Sequence, residues 1–250
     1  MSDAPWFFHA PLPPDGGPVW IDREEARHVV GARRMRPGDD VAFMDGAGRV
    51  ARGTLSAERD RDGAQRVDVS SPQLQSRQGR EVLIATAIPK GDRSATIMES
   101  MGPLGIASVI PLACEWSVVS MTDNLRARFD RILVEGCKQS RQAWVPSLET
   151  EQSPGDAVRG LVARGASCIV LDAAGKSLTQ LVAAEGPEAS VGAAGAPLAL
   201  FVGPEGGFSP REREEMTLAG AQLASLGSGI LRVELAAIVA AALARDAALA

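Results

Sequence analysis

Hydrophobic and polar positions follow two different periods along the chain. Between residues 17 and 70 the apolar runs are short. Val41-Ala-Phe-Met44 is apolar, Asp45-Gly-Ala-Gly48 carries turn chemistry, and residues 49–56 alternate as a returning strand. Val67 and Val69 mark a third strand. One helix precedes them, with Asp22 at its N-cap and Glu25 three residues on as capping-box partner. Pro37-Gly38-Asp39 ends that segment in a turn. The pattern predicts a small β-rich module. Residues 71–80 are polar, lack a period and read as a linker.

From residue 81 the pattern changes. Residues 82–88 are continuously apolar, as in a strand buried on both faces. A helix is expected over 93–101 and a second strand around Val109 and Ile110. Residues 123–140 form a longer amphipathic helix with Leu125, Phe129, Ile132, Leu133 and Gly136 along one side. Residues 168–171, 198–202 and 221–226 read as three more strands, and 234–248 as the last helix. Residues 186–197, rich in Gly, Ala and Pro, read as a loop. Strands alternating with helices predict an α/β domain with a largely parallel sheet.

Composition narrows the function classes. The 250 residues are 45% hydrophobic and 23% charged, an ordinary soluble balance. The longest apolar run, 235–244, is about half of what a bilayer-spanning helix needs. Residues 1–14 lack the basic and apolar regions of a signal peptide. Cys114, Cys137 and Cys168 are odd in number, widely spaced and without a CxxC pair, and His9 and His28 are the only histidines. No disulfide framework and no metal site are expected, and a reducing cytoplasm fits.

The net charge of −5 argues against a nucleic-acid partner until its distribution is considered. Residues 1–80 hold 12 basic and 12 acidic side chains, the remainder 14 and 19, so the whole deficit lies in the second part. Arg23, Arg27, Arg33, Arg34 and Arg36 fall within fourteen residues. Such a cluster suits phosphate contacts and suits a solvated helix face equally well. Composition alone does not choose between them.

Two loops carry candidate chemistry. Gly203-Pro-Glu-Gly-Gly-Phe-Ser-Pro210 follows an apolar strand and opens a helix, with Ser209 as N-cap, Pro210 at the first position and Glu212 completing a capping box. It is neither GxGxxG nor a phosphate loop with its Lys and Ser/Thr. In an open α/β sheet, ligands sit at such strand ends. The second loop, Leu226-Gly-Ser-Gly-Ile-Leu-Arg-Val-Glu-Leu-Ala-Ala237, joins a strand to the last helix and sets Arg232 and Glu234 in an apolar context. Charges so placed are usually paired, functional, or both.

Gly203-Pro-Glu-Gly-Gly207, followed by Leu226-Gly-x-x-Ile-Leu-Arg-x-Glu-x-Ala-Ala237, resembles the ribosomal small subunit methyltransferase E family of the SPOUT superfamily. The resemblance extends to Arg27-His-Val-Val-Gly-Ala-Arg-Arg-Met-Arg-Pro-Gly-Asp39, Phe43-Met-Asp-Gly46, Ile88-Pro-Lys-Gly-Asp92, Lys138-Gln-Ser140 and Val145-Pro146. It implies an α/β fold with a trefoil-knotted methyltransferase domain over 80–250 and an N-terminal PUA-like β-barrel over 1–72 that binds RNA. It implies a homodimer in the cytoplasm that uses S-adenosylmethionine and methylates N3 of one uridine of 16S ribosomal RNA near the decoding centre, on the RNA or the assembling small subunit. Asp172, Val202, Gly203, Pro204, Glu205, Gly206, Gly207, Leu226, Gly227, Ile230 and Leu231 are then expected around the cofactor. Arg232 is expected to stabilise charge on the uracil, with Glu234 orienting it, and Arg27, Arg33, Arg34 and Arg36 to contact RNA.

The sequence departs from the family where Gly229 replaces an expected arginine, Val233 and Leu235 replace threonines, and Ser100-Met-Gly-Pro103-Leu-Gly105 replaces Lys-Ala-Thr-Glu-Leu-Gly. The rival readings are a superfamily methyltransferase with another RNA target, such as a ribose 2′-hydroxyl, and an RNA-binding assembly factor with a decayed site.

Overall fold

The structure, a computed structural model, describes residues 4–184 and 195–249, so most of the loop expected over 186–197 lies outside the described residues. The chain forms two compact units, residues 1–77 with 137–145, and residues 78–136 with 146–250.

In the first unit β1 (Trp6–Phe8), β2 (Gly17–Ile21), β3 (Asp40–Met44), β4 (Arg49–Arg59), β5 (Gln65–Val69) and β6 (Gln73–Leu74) share one sheet. Its order is β1-β3-β4-β5-β2, with β6 against β4. β1 and β2 are its two edges, so the expected barrel is an open, curled PUA-like sheet around Phe7, Val19, Ile21, Phe43, Leu55 and Val67. The expected β3–β4 hairpin closes on Asp45, whose Oδ1 accepts from the Ala47 and Arg49 amides at 2.8 and 2.9 Å. Periodicity misses β1, which is three residues long, and β2, which starts on Gly17-Pro18. It also misses β6, which lies inside the stretch read as a linker.

Asp22 caps α1 (Arg23–Glu25), accepting from the Glu25 amide at 2.8 Å. The reciprocal half of the box is not formed, because the Glu25 carboxylate pairs with Lys138. From Ala26 to Gly31 the helix widens to π winding, which an α-helical period does not announce. Residues 137–145 join this unit through Trp144, whose Nε1–H donates to the Gln75 carbonyl at 2.9 Å. The Arg77 guanidinium lies 4.4 Å from the Trp144 ring centroid.

The second unit is a parallel sheet of β7 (Val82–Thr86), β8 (Ser108–Pro111), β9 (Ser147–Leu148), β10 (Ser167–Ser177), β11 (Leu198–Val202) and β12 (Gln222–Ser225). Its order is β12-β10-β11-β7-β8-β9. The helices are α2 (Asp92–Met101), α3 (Asp123–Ser140), α4 (Pro154–Ala163), α5 (Leu178–Ala184), α6 (Pro210–Leu218) and α7 (Val233–Leu249), α3 giving its last turn to the first unit. Leu83 and Ala85, Cys168 and Val170, and Ala199 and Phe201 alternate onto the face covered by α4 and α6. α7 packs on β7 and β11 and buries Ala237, Ala240, Ala241 and Ala244 completely. Side chains this small let a helix lie close against the sheet.

β10 is longer than expected because it continues past a slip in register, and β9 and α5 are too short to show a period. The pattern reading also misses α4, although Ser153 caps it and Ala157, Val158 and Leu161 are buried along one side. All three cysteines are free and buried, and burial pushes Cys114 and Cys137 up to about 12 and Cys168 to about 11. Among the described residues no helix is long and apolar enough to cross a membrane.

Candidate active site

β10, β11 and β12 lie side by side and, being parallel, present their carboxyl ends at one edge. Val170 is level with Phe201 and Leu171 with Ala224, so the chain leaves β10 between the two glycine loops. Lys176 is level with Ala224 again, so residues 172–175 bulge out of the sheet. Asp172 fixes this bulge. Its Oδ1 accepts from the Ala174 amide at 2.8 Å and its Oδ2 from Arg213 of α6 at 3.1 Å. Both oxygens are engaged by protein, which makes Asp172 a residue that shapes the edge.

The first glycine loop is held at both ends. The Val202 carbonyl accepts from the Ala87 amide at 3.0 Å, and the Gly207 amide donates to the Pro204 carbonyl at 2.8 Å. The capping box forms as its spacing implies. Ser209 Oγ accepts from the Glu212 amide at 3.2 Å, and Glu212 Oε2 from the Ser209 amide at 2.8 Å. Glu212 Oε1 accepts in addition from the Glu115 amide at 2.8 Å. That second bond ties the segment after β8 to the glycine loop. Gly206 then lies against Trp116: a Cβ there would sit 3.0 Å from the indole Cε3. Glu205 points elsewhere, into an ion pair with Arg93 at 2.8 Å.

The second loop is open. Gly227 has a φ of +114°, which a side chain rarely adopts, and no atom lies within 4 Å of a Cβ built at Gly227 or Gly229. Leu226 and Leu231 are half-buried, whereas Ile230 is 99% exposed. Arg232 is exposed, and among the described residues no carboxylate pairs with it. The expected orientation of Arg232 by Glu234 is therefore not formed, since residues two apart at a helix start do not face each other. Instead Glu234 Oε2 is buried and, among the described residues, has no hydrogen-bond partner. Such an orphaned buried acceptor at the start of α7 fits a group that brings a donor. Val233 is buried in the α7 packing, so a threonine there would bury its hydroxyl.

Asp172, Val202–Gly207 and Leu226–Leu231 thus gather on one sheet edge, with Arg232 and Glu234 at the start of α7. Sequence reasoning missed Arg93, Trp116 and Arg213. Each reaches the site from another element, and no local pattern marks them. Arg27, Arg33, Arg34 and Arg36 belong to the other unit, where Arg27 and Arg34 line a cavity and the Arg36 amide donates to Asp39 Oδ2 at 2.7 Å. Among the described residues no group of three or more His, Cys, Asp or Glu side chains is placed to hold a metal ion.

Residues 76–245 match a family described as RNA methyltransferase domain, and residues 21–65 one described as RNA methyltransferase PUA domain. The chain is 31% identical over 247 residues to a Mycobacterium bovis protein named ribosomal RNA small subunit methyltransferase E, covering 94% of this chain and 88% of that one. Its fold is similar to that of a Neisseria gonorrhoeae protein of the same name solved bound to S-adenosylmethionine, with a TM-score of 0.80, 22% identity and coverage of 96% and 95%. It is also similar to a Legionella pneumophila protein solved with bound S-adenosylmethionine, with a TM-score of 0.81, 24% identity and coverage of 98% of both chains.

Proposed function

This chain belongs to the ribosomal RNA small subunit methyltransferase E family, and from that membership we propose that it transfers a methyl group from S-adenosylmethionine to N3 of a uridine in 16S ribosomal RNA. The observation that carries this reading is the joint edge of β10, β11 and β12, where two glycine loops emerge with open space about Gly227 and Gly229, next to an arginine that is exposed and, among the described residues, unpaired. Bound there, S-adenosylmethionine supplies an electrophilic methyl group. The backbone of Val202 to Gly207 and of Leu226, Gly227, Ile230 and Leu231 would hold it, with Asp172 fixing the neighbouring bulge.

Methyl transfer needs in-line positioning and an exposed lone pair on the acceptor. Uridine N3 carries a proton on its pairing edge, so the base enters unpaired or flipped out. That proton is lost to solvent before or during attack. Arg232 stabilises the negative charge that develops on the uracil. Arg27, Arg33, Arg34 and Arg36 supply phosphate contacts. The enzyme acts in the cytoplasm, and the trefoil knot implied by the family resemblance is part of the same reading.

Calorimetry is expected to give one S-adenosylmethionine bound per chain. Incubation with unmodified 16S ribosomal RNA or small subunits is expected to block reverse transcription at one uridine, because N3 methylation removes the pairing edge. Methylation on a ribose hydroxyl would overturn the target assignment. Cofactor binding with no methylation of either substrate would leave an assembly factor instead.

We also propose a homodimer. Ile230 is 99% exposed in the second glycine loop and Leu235 is exposed on α7, apolar surface that a second subunit would cover. Sedimentation at micromolar concentration is expected to give twice the chain mass, and a monomer there removes the dimer.

A further inference from the structure

The first unit contains a cavity of about 690 Å³ between the π-wound segment and the tip of the β4–β5 hairpin. Arg23, Arg27 and Arg34 come to it from one side, and Arg59 and Arg61 from the other. Its floor is apolar, with Ala26 and Val30 buried and Met35 partly so. We propose that this cavity seats one unpaired nucleotide of the ribosomal RNA, with its base on the apolar floor and its flanking phosphates on the arginines. The proposal rests on the ribosomal RNA reading above and assigns to it Arg59 and Arg61, which lie outside the arginine cluster that the sequence singled out.

Charge supports an anionic ligand. Among the described residues none of the five guanidinium groups is ion-paired, whereas Arg66 on the neighbouring strand is paired with both Glu58 and Asp68, at 2.6 and 2.8 Å. Two carboxylates, Asp60 and Asp62, also line the cavity. Asp60 is engaged by its own turn, its Oδ1 accepting from the Asp62 and Ala64 amides at 2.9 and 2.7 Å. The five cations therefore outweigh the acidic groups, in a concavity that concentrates field.

Two of the cations are also held in place. Arg59 Nε donates to Gln65 Oε1 at 2.9 Å, and Gln65 is itself buried, its amide donating to the Ser56 and Glu58 carbonyls at 2.7 and 3.0 Å. Arg23 packs along Gly63, where a Cβ would come within 3.3 Å of its Cδ. The volume lies in the range of small-molecule sites, about 300–1,000 Å³, and exceeds what a lone phosphate fills. An apolar floor ringed by arginines, whose guanidinium planes stack on bases and whose charge meets phosphates, suits an unstacked base with its backbone.

The test uses the full chain, with 16S ribosomal RNA as one probe and a short oligoribonucleotide, single-stranded and as its duplex, as the others. The double variant Arg59→Ala with Arg61→Ala is expected to bind the RNA at least about tenfold more weakly near physiological salt. Its dependence of log K on log salt is expected to flatten by about 0.7 for each lost single-strand contact. The loss is expected on the single strand and to be small on the duplex. The single reversal Arg61→Glu, at an exposed tip position, gives the same direction without altering the Arg59–Gln65 bond. An unchanged thermal midpoint and unchanged S-adenosylmethionine affinity show that each variant is folded.

If both variants bind RNA with wild-type affinity and salt slope, the cavity assignment falls and the ribosomal RNA reading stands. An equal loss on duplex and single strand overturns the unpaired nucleotide. If the wild-type chain binds S-adenosylmethionine but no RNA, the functional reading itself falls and takes the cavity assignment with it.

Discussion

Replacing Arg232 by alanine is expected to lower the rate of methyl transfer by about 10²–10³, the typical loss when one preorganised donor to a developing oxyanion is removed. Cofactor affinity is expected to change little, because Arg232 is exposed and the cradle is built from backbone on either side of it. The fold is also expected to survive. Among the described residues Arg232 makes no ion pair whose loss would strand a buried carboxylate, and its carbonyl keeps its bond from the Ala236 amide at 2.8 Å. Lysine is expected to restore part of the rate, since it carries the charge without the planar fork. Single-turnover kinetics with saturating S-adenosylmethionine read this directly. An alanine variant that methylates its RNA at the wild-type rate would remove Arg232 from the chemistry.

Much of the second unit was legible because its information is local. The apolar runs of β7 and β11, the amphipathic face of α3 and the capping box of α6 each lie within one short window, and the structure forms all of them. The glycine loops were legible for the same reason, as strings attached to strand ends. What escaped is carried by partners distant in sequence. Arg213 reaches back to Asp172, Trp116 lies on Gly206, and residues 137–145 join a unit whose other residues end at Arg77. The Arg232–Glu234 pair was expected from adjacency in sequence, yet helical geometry sends the two side chains apart. β1 and β2 escaped because three residues, or a strand opening on Gly-Pro, hold too little pattern to read.

Glu212 joins both kinds of information, and its removal is expected to give the largest loss of stability. One of its oxygens completes the local capping box and the other crosses to the Glu115 amide. The side chain is nearly buried and Ser209 is almost fully so. Glu212→Ala therefore strands two amides that water reaches poorly, at about 1–3 kcal/mol each. A net loss of roughly 3 kcal/mol, or roughly 6–12 °C in thermal midpoint for a chain of this size, is expected. Glu212→Gln is expected to fall between, because its oxygen serves one amide while its NH₂ confronts the other. Glu215→Ala on the same helix breaks only the exposed pair with Arg211 and is expected to leave the midpoint unchanged.

The loss is also expected to reach the site, since Glu212 holds the segment carrying Trp116 against the loop of Gly206. Cys114 reports on this corner. Burial, and next the Glu212 charge, hold its thiol up at about 12, so in the wild type it resists alkylation. In a folded Glu212→Ala chain, faster alkylation of Cys114 is expected together with weaker S-adenosylmethionine binding. A midpoint within about 1 °C of wild type, with Cys114 still protected, would mean that the bond to Glu115 does not organise the glycine loop.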